Sequence, residues 1–142
     1  SDIHGAIGIA QMGRLDDIIR TRAERAAWYR EQFTNSKVVV DSEHIWHPGR
    51  VYQSLVVMLQ DAVDRDAVVA ELRSSGIEVT VGTWSIHQQK ALATHCRFDA
   101  TELTGSIRCG RSSLTLPLHS DMTYADVCRA ADALEKAGLR YV

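Results

Sequence analysis

The spacing of apolar residues changes twice between Val51 and Val81, and this constrains the fold more than any other feature. Val51 to Leu59 is rich in the β-branched, aromatic and aliphatic residues that pack well in strands. Asp64 to Ser75 then puts Val68, Val69 and Leu72 on one helical face, with Asp64 placed to cap the first turn and Gly76 to stop the helix. Ile77 to Val81 alternates apolar and polar with period two. Residues 51–81 therefore read as a strand–helix–strand unit, which commits the chain to a layer of helix on a layer of sheet.

The flanking segments extend that plan. Residues 3–33 read as one long helix, since Ile3, Ile7, Ala10, Leu15, Ile18, Ile19, Ala23, Ala26 and Ala27 mostly recur at three- and four-residue spacing. Ser1 or Asp2 can cap it. Gly5, Gly8 and Gly13 interrupt the pattern at about 1 kcal/mol each relative to alanine. They mark either a weakened helix or a face that another backbone approaches closely, and three within nine positions favour the second. Val38 to Val40 is a short strand candidate, and residues 41–50 are irregular. Thr83 to Gln89 reads as a loop, Lys90 to Thr94 as a helical turn and Thr101 to Arg111 as a weak helix containing Gly105 and Gly110. Ser113 to Pro117 is a strand ended by proline. The last helix runs from Thr123 to Ala137, with Thr123 and Asp126 forming a capping box and Gly138 following its end. The expected architecture is α/β (α+β two-layer): a long N-terminal helix over residues 1–34, and a core over 36–142 in which helices lie mainly on one face of a small sheet.

The whole chain, 142 residues with 45% hydrophobic and 24% charged residues, has the size and composition of one soluble globular domain. A net charge of −2 provides no bulk basic field for nucleic acid. The apolar runs 55–59 and 38–40 are far too short to span a bilayer, and no basic region followed by an apolar stretch opens the chain. Cys96, Cys109 and Cys128 form an odd set without CxxC spacing, which suits a reduced cytosolic compartment. The chain starts Ser1-Asp2-Ile3, already in an apolar helical pattern, so we expect it to be processed, trimmed or cut from something longer.

Familiar catalytic constellations are scarce. His44 and His47 are three residues apart and His95 adjoins Cys96, but no CxxC, HxxxH or HExxH offers a zinc ligand set, so no metal is expected. There is no G-x-S-x-G, and the glycines near the N-terminus form neither a Walker loop nor a dinucleotide fingerprint. The three lysines, Lys37, Lys90 and Lys136, read as solvated surface. Gly82 to Gln89 stands out instead. It follows a strand end, where α/β domains place binding groups, and combines an indole N–H, two hydroxyls, an imidazole and amides suited to a hydroxylated ligand. The alternative is a polar loop with Trp84 tucked into the core.

Four segments, in order, resemble the DegT/DnrJ/EryC1/StrS family of pyridoxal-phosphate-dependent aminotransferases, most of which act on nucleotide-linked keto-sugars. Ser1-Asp2-Ile3-His4-Gly5-Ala6-Ile7-Gly8-Ile9-Ala10-Gln11-Met12 is similar to the family's Ser-Glu segment leading into Ala-Ala-Ile-Gly-x-Ala-Gln-Leu, with Arg14-Leu15-Asp16, Arg22, Tyr29 and Arg30 beyond it. Val51-Tyr52-Gln53-Ser54 with Leu55-Val56-Val57, Asp64-Arg65-Asp66 and Gly76-Ile77-Glu78 is the second match. Gly82-Thr83-Trp84-Ser85-Ile86-His87 with Gln89 resembles a Gly-Thr-Tyr-Ala-Leu-His-x-Gln variant, although Lys90 stands where proline is usual and Gly82 where many members have His. Ser113-Leu114-Thr115-Leu116-Pro117-Leu118-His119, then Met122-Thr123 and Asp126-Val127, is the fourth.

The resemblance implies the small C-terminal domain of a fold-type I aminotransferase. In the family, the cofactor lysine and the cofactor's phosphate and ring contacts come from a larger N-terminal domain, and the enzyme is a homodimer with active sites near the subunit interface. Residues 1–34 would then pack on that domain or on the partner subunit. The intact enzyme would bind pyridoxal phosphate, take an amine from a donor such as glutamate and pass it to a keto-sugar. This chain alone would hold no cofactor and be inactive. Trp84, Ser85 and His87 are the expected substrate-binding residues, and Ser1 and Asp2 lie near the active site by position in the family pattern. A free-standing small-molecule-binding or regulatory domain, and an interaction module using helix 3–33, are the competing expectations.

Overall fold

The computed structural model describes residues 1–92, 97 and 99–142. The N-terminal helical segment comes as two helices, α1 (Asp2–Met12) and α2 (Leu15–Gln32). Gly13 still has helical angles, but Arg14 leaves them at φ −110°, ψ 0°. Glycine is a common place for such a break, because it gives the helix little to hold on to. Then follow β1 (Leu55–Met58), α3 (Arg65–Ser74), β2 (Thr80–Val81), two 3₁₀ turns (Ile86–Gln88 and Ala100–Leu103), α4 (Thr104–Ser112), β3 (Ser113–Leu116) and α5 (Tyr124–Arg140). Part of the expected turn at Lys90 to Thr94, together with His95 and Cys96, lies outside the described residues.

The strands are shorter than the sequence pattern suggests: β3 ends at Leu116 before Pro117, and arginines take up carbonyls just before β1 and β2. Arg22 Nη1 donates to the carbonyls of Tyr52 (3.0 Å) and Gln53 (2.6 Å) just before β1. Tyr52 itself lies in the left-handed region at φ +46°, an unusual place for a bulky residue. Arg73 Nε donates to the Val79 carbonyl (2.8 Å) just before β2. Residues 38–40 contribute one isolated bridge, Val39 with Leu59, rather than a strand.

The sheet order is β1-β3-β2, with β3 antiparallel to both neighbours. β1 and β2 are therefore parallel to each other, joined through α3, and β3 inserts between them. Leu55 pairs with Leu116 and Val57 with Leu114, forming one buried face. Val68, Val69 and Leu72 of α3 and Val127, Ala130, Ala131, Leu134 and Ala137 of α5 join the same core. The opposite face, with Val56, Met58 and Thr115, is only half-buried. The sheet is thus covered mainly on one side.

The caps follow the sequence signals. Asp64 accepts from the amides of Asp66 and Ala67 at the start of α3, and Gly76 ends its turn at φ +74°. Thr123 and Asp126 form the capping box of α5. Gly138 does not end that helix. It lies inside α5, which continues to Arg140, and is packed against Val38. On α2, Tyr29 is fully buried and its hydroxyl donates to the Pro117 carbonyl (3.1 Å); burial pushes this phenol well above its usual range. Arg25 stacks over Trp28 (4.9 Å) and donates to the Ser120 and Met122 carbonyls, tying α2 to the turn before α5.

Candidate functional site: the Gly82 to Gln89 loop

The loop leaves β2 at Gly82, whose amide donates to the Ser113 carbonyl (3.1 Å), continuing the ladder for one residue. Gly82 faces the half-buried side of the sheet. A Cβ there would stand 2.6 Å from Val56 Cγ1 and 2.7 Å from the Ser113 side chain. No larger residue fits without moving one of these neighbours, so the loop begins pressed flat against the sheet.

Ser85 makes the next anchor. It is buried, and its hydroxyl donates to the Ser106 carbonyl of α4 (2.6 Å). Its own carbonyl accepts from Gln88 N (3.0 Å) and Gln89 Nε2 (3.5 Å), closing the 3₁₀ turn over Ile86–Gln88. With Ser85 turned in, its neighbours turn out. Trp84 is 65% exposed and Ile86 67%, while His87 is half-buried. Trp84 is therefore not a core residue, against the bland reading of the loop. An outward indole and isoleucine give an apolar surface, and Thr83, His87, Gln88 and Gln89 supply polar groups beside it in the chain.

The three expected binding residues thus occupy one short loop with different orientations. Ser85 commits its hydroxyl to α4 and holds the loop in place, whereas Trp84 presents its ring to solvent. The partner of Ser85, the α4 face carrying Ser106 and Gly110, was not singled out in sequence. The only signal for it was a glycine inside a weak helical pattern.

A second unusual surface lies at the N-terminus. α1 buries none of its residues, yet Ile3, Ile7, Ile9 and Met12 are 72%, 57%, 77% and 66% exposed. Among the described residues nothing lies within 4 Å of the Cβ positions of Gly5 or Gly8, so no described residue makes the close approach that these glycines would permit. A helix apolar around most of its circumference is normally buried. Ser1 and Asp2 stand exposed at its start, with the Ser1 hydroxyl 3.0 Å from His4 Nδ1.

The remaining polar groups are dispersed. Lys37, Lys90 and Lys136 are all exposed. Among the described residues no three His, Cys, Asp or Glu side chains converge as a metal site. Cys109 and Cys128 are free thiols, partly buried. No described helix is long and apolar enough to cross a membrane.

The fold is that of solved sugar aminotransferases. A putative sugar aminotransferase, Spr1654 from Streptococcus pneumoniae, in its PLP-form, superposes with a TM-score of 0.87 at 18% identity, covering 100% of this chain and 36% of its own. DesI in the presence of its TDP-sugar product matches with a TM-score of 0.83 at 22% identity, covering 95% of this chain and 35% of DesI. In sequence, GDP-perosamine synthase of Caulobacter vibrioides is 28% identical over 139 residues, 96% of this chain and 37% of that enzyme. A model of the DegT/DnrJ/EryC1/StrS aminotransferase family matches residues 1–135, and the chain belongs to that family. It spans little more than a third of the length of these relatives.

Proposed function

We propose that this chain is the C-terminal, substrate-side domain of a pyridoxal-phosphate-dependent aminotransferase that acts on a nucleotide-linked keto-sugar. The observation that carries this reading is α1, an apolar helix with no buried residue in a chain that spans about a third of its relatives' length. A larger domain, or the second subunit of a homodimer, covers that helix in the working enzyme.

The cofactor does not fit the residues of this chain. Its three lysines are exposed and stand on separate surface segments, without the enclosed pocket that activates a lysine amine. The cofactor lysine and phosphate seat belong to the rest of the enzyme. When bound there, pyridoxal phosphate supplies the electron sink for amino transfer. This chain's part is to bind and orient the sugar. The Trp84 ring covers an apolar face of the substrate, and His87 hydrogen-bonds a hydroxyl or phosphate. Ser85 holds both in register by anchoring the loop. Ser1 and Asp2 border the same cleft. The amino donor is glutamate and the enzyme works in the cytoplasm.

The test is amino transfer by the intact protein from glutamate to nucleotide-linked 3- and 4-keto-sugars, followed by mass analysis of the product. Trp84→Ala is expected to raise KM for the sugar about tenfold, the scale of one lost ring contact, and to leave the donor half-reaction unchanged. No transfer to any keto-sugar would overturn the substrate class.

A further inference from the structure

The Trp84 loop is seated on α4 by a contact that only glycine permits. Gly110 lies one helical turn after Ser106, on the same face of α4. The Ser85 hydroxyl bonds the Ser106 carbonyl, which brings Ser85 directly over Gly110. A Cβ at position 110 would fall on Ser85 Oγ and stand 3.1 Å from both the Cβ and the amide nitrogen of Ser85. The overlap falls on the Oγ that bonds the Ser106 carbonyl, so the hydroxyl would have to leave that bond and release the loop from α4, whereas the Ser85 backbone need give only slightly. At the loop's other end, a Cβ on Gly82 would meet Val56 and Ser113 in the same way, so the loop lies close to its neighbours at both ends.

We propose that Gly110 is a positioning residue for the substrate loop. It acts through Ser85 to fix the height at which Trp84 and Ile86 stand above the sheet, and so sets which sugar faces the cleft accepts. Two glycines on different elements, Gly82 after β2 and Gly110 in α4, define the seat. One side chain, Ser85, locks it. The specificity role rests on the substrate-side reading above, whereas the seat itself is a matter of packing.

The test is a double-mutant cycle in the intact protein with Gly110→Ala, Ser85→Ala and the pair. Amide hydrogen exchange of residues 82–89 is the first readout. Gly110→Ala should speed exchange there about tenfold while β1 and β3 stay protected. In the Ser85→Ala background the same change should have little further effect, because the atom it collides with is gone. Equal effects in both backgrounds, or exchange that rises equally across β1 and β3, would overturn the proposal. The second readout is KM for the sugar against kcat of the donor half-reaction. A coupled loop with an unmoved sugar KM would sustain the seat and refute the substrate role of the loop. An uncoupled loop with Trp84→Ala still raising KM would do the reverse.

Discussion

Gly138 occupies a position in α5 where alanine would be the better helix former by about 1 kcal/mol. The tertiary contact reverses that preference. A Cβ there would overlap Val38, with Cγ2 only 2.6 Å away, and Val38 is itself fully buried. Gly138→Ala should therefore destabilise the fold by about 1–3 kcal/mol, the usual cost of overpacking. Chemical denaturation would show it, and Val38→Ala should soften the loss when the two are combined. Sequence alone suggested the opposite role, a helix stop, because the glycine falls near the end of the apolar pattern.

Asp126 is the other residue whose environment makes a checkable statement. The Thr123 hydroxyl and amide both donate to its carboxylate and hold its pKa below the usual range. A folded-state pKa lowered in this way contributes stability above the unfolded value of about 3.9. That contribution is lost as pH falls through the lower folded value. The N-terminal turn of α5 should fray in acid before the core does. Thr123→Ala should remove this part of the acid dependence, read as the pH profile of amide exchange at residues 124–127.

At the scale of elements, α1 and α4 show two ways a helix can be unfinished. α4 carries Gly105 and Gly110, and it is held by its 3₁₀ lead-in, by β3 and by the loop it supports. α1 has no such support and exposes four large apolar side chains. Expressed as the 142 residues alone, the chain should associate or bind a hydrophobic dye. Ile3→Gln/Ile7→Gln/Ile9→Gln should abolish that without lowering the melting temperature, since none of these side chains touches the core. A monomeric, dye-silent parent chain would remove the case for a covering domain or subunit. The α1–α2 break at Gly13 belongs here too. Periodicity continues through it, and Arg14 is where the backbone leaves helical angles.

For the whole molecule, the placement of the lysines leads to a direct chemical outcome. Borohydride reduction after mixing the 142-residue chain with pyridoxal phosphate should yield no stoichiometric adduct at Lys37, Lys90 or Lys136, by peptide mass mapping. A single saturable adduct would put the cofactor seat in this chain and overturn the division of labour proposed here.

The sequence by itself determined the N-terminal caps of α3 and α5, the strand–helix–strand unit and the family. These depend on local spacing and on residue types that act within a turn of where they stand. The candidate loop was legible for the same reason: its polar groups are contiguous in the chain. Only the tertiary structure decided how long the strands are, because the length of each is set by how far it pairs with β3, a strand far away in sequence. It alone placed β3 between β1 and β2, turned Trp84 outward and Ser85 inward, and gave Gly82, Gly110 and Gly138 their contacts. A glycine's local meaning is flexibility. Its meaning in this fold is the absence of a Cβ opposite a particular atom, and the identity of that atom is set by parts of the chain far away in sequence.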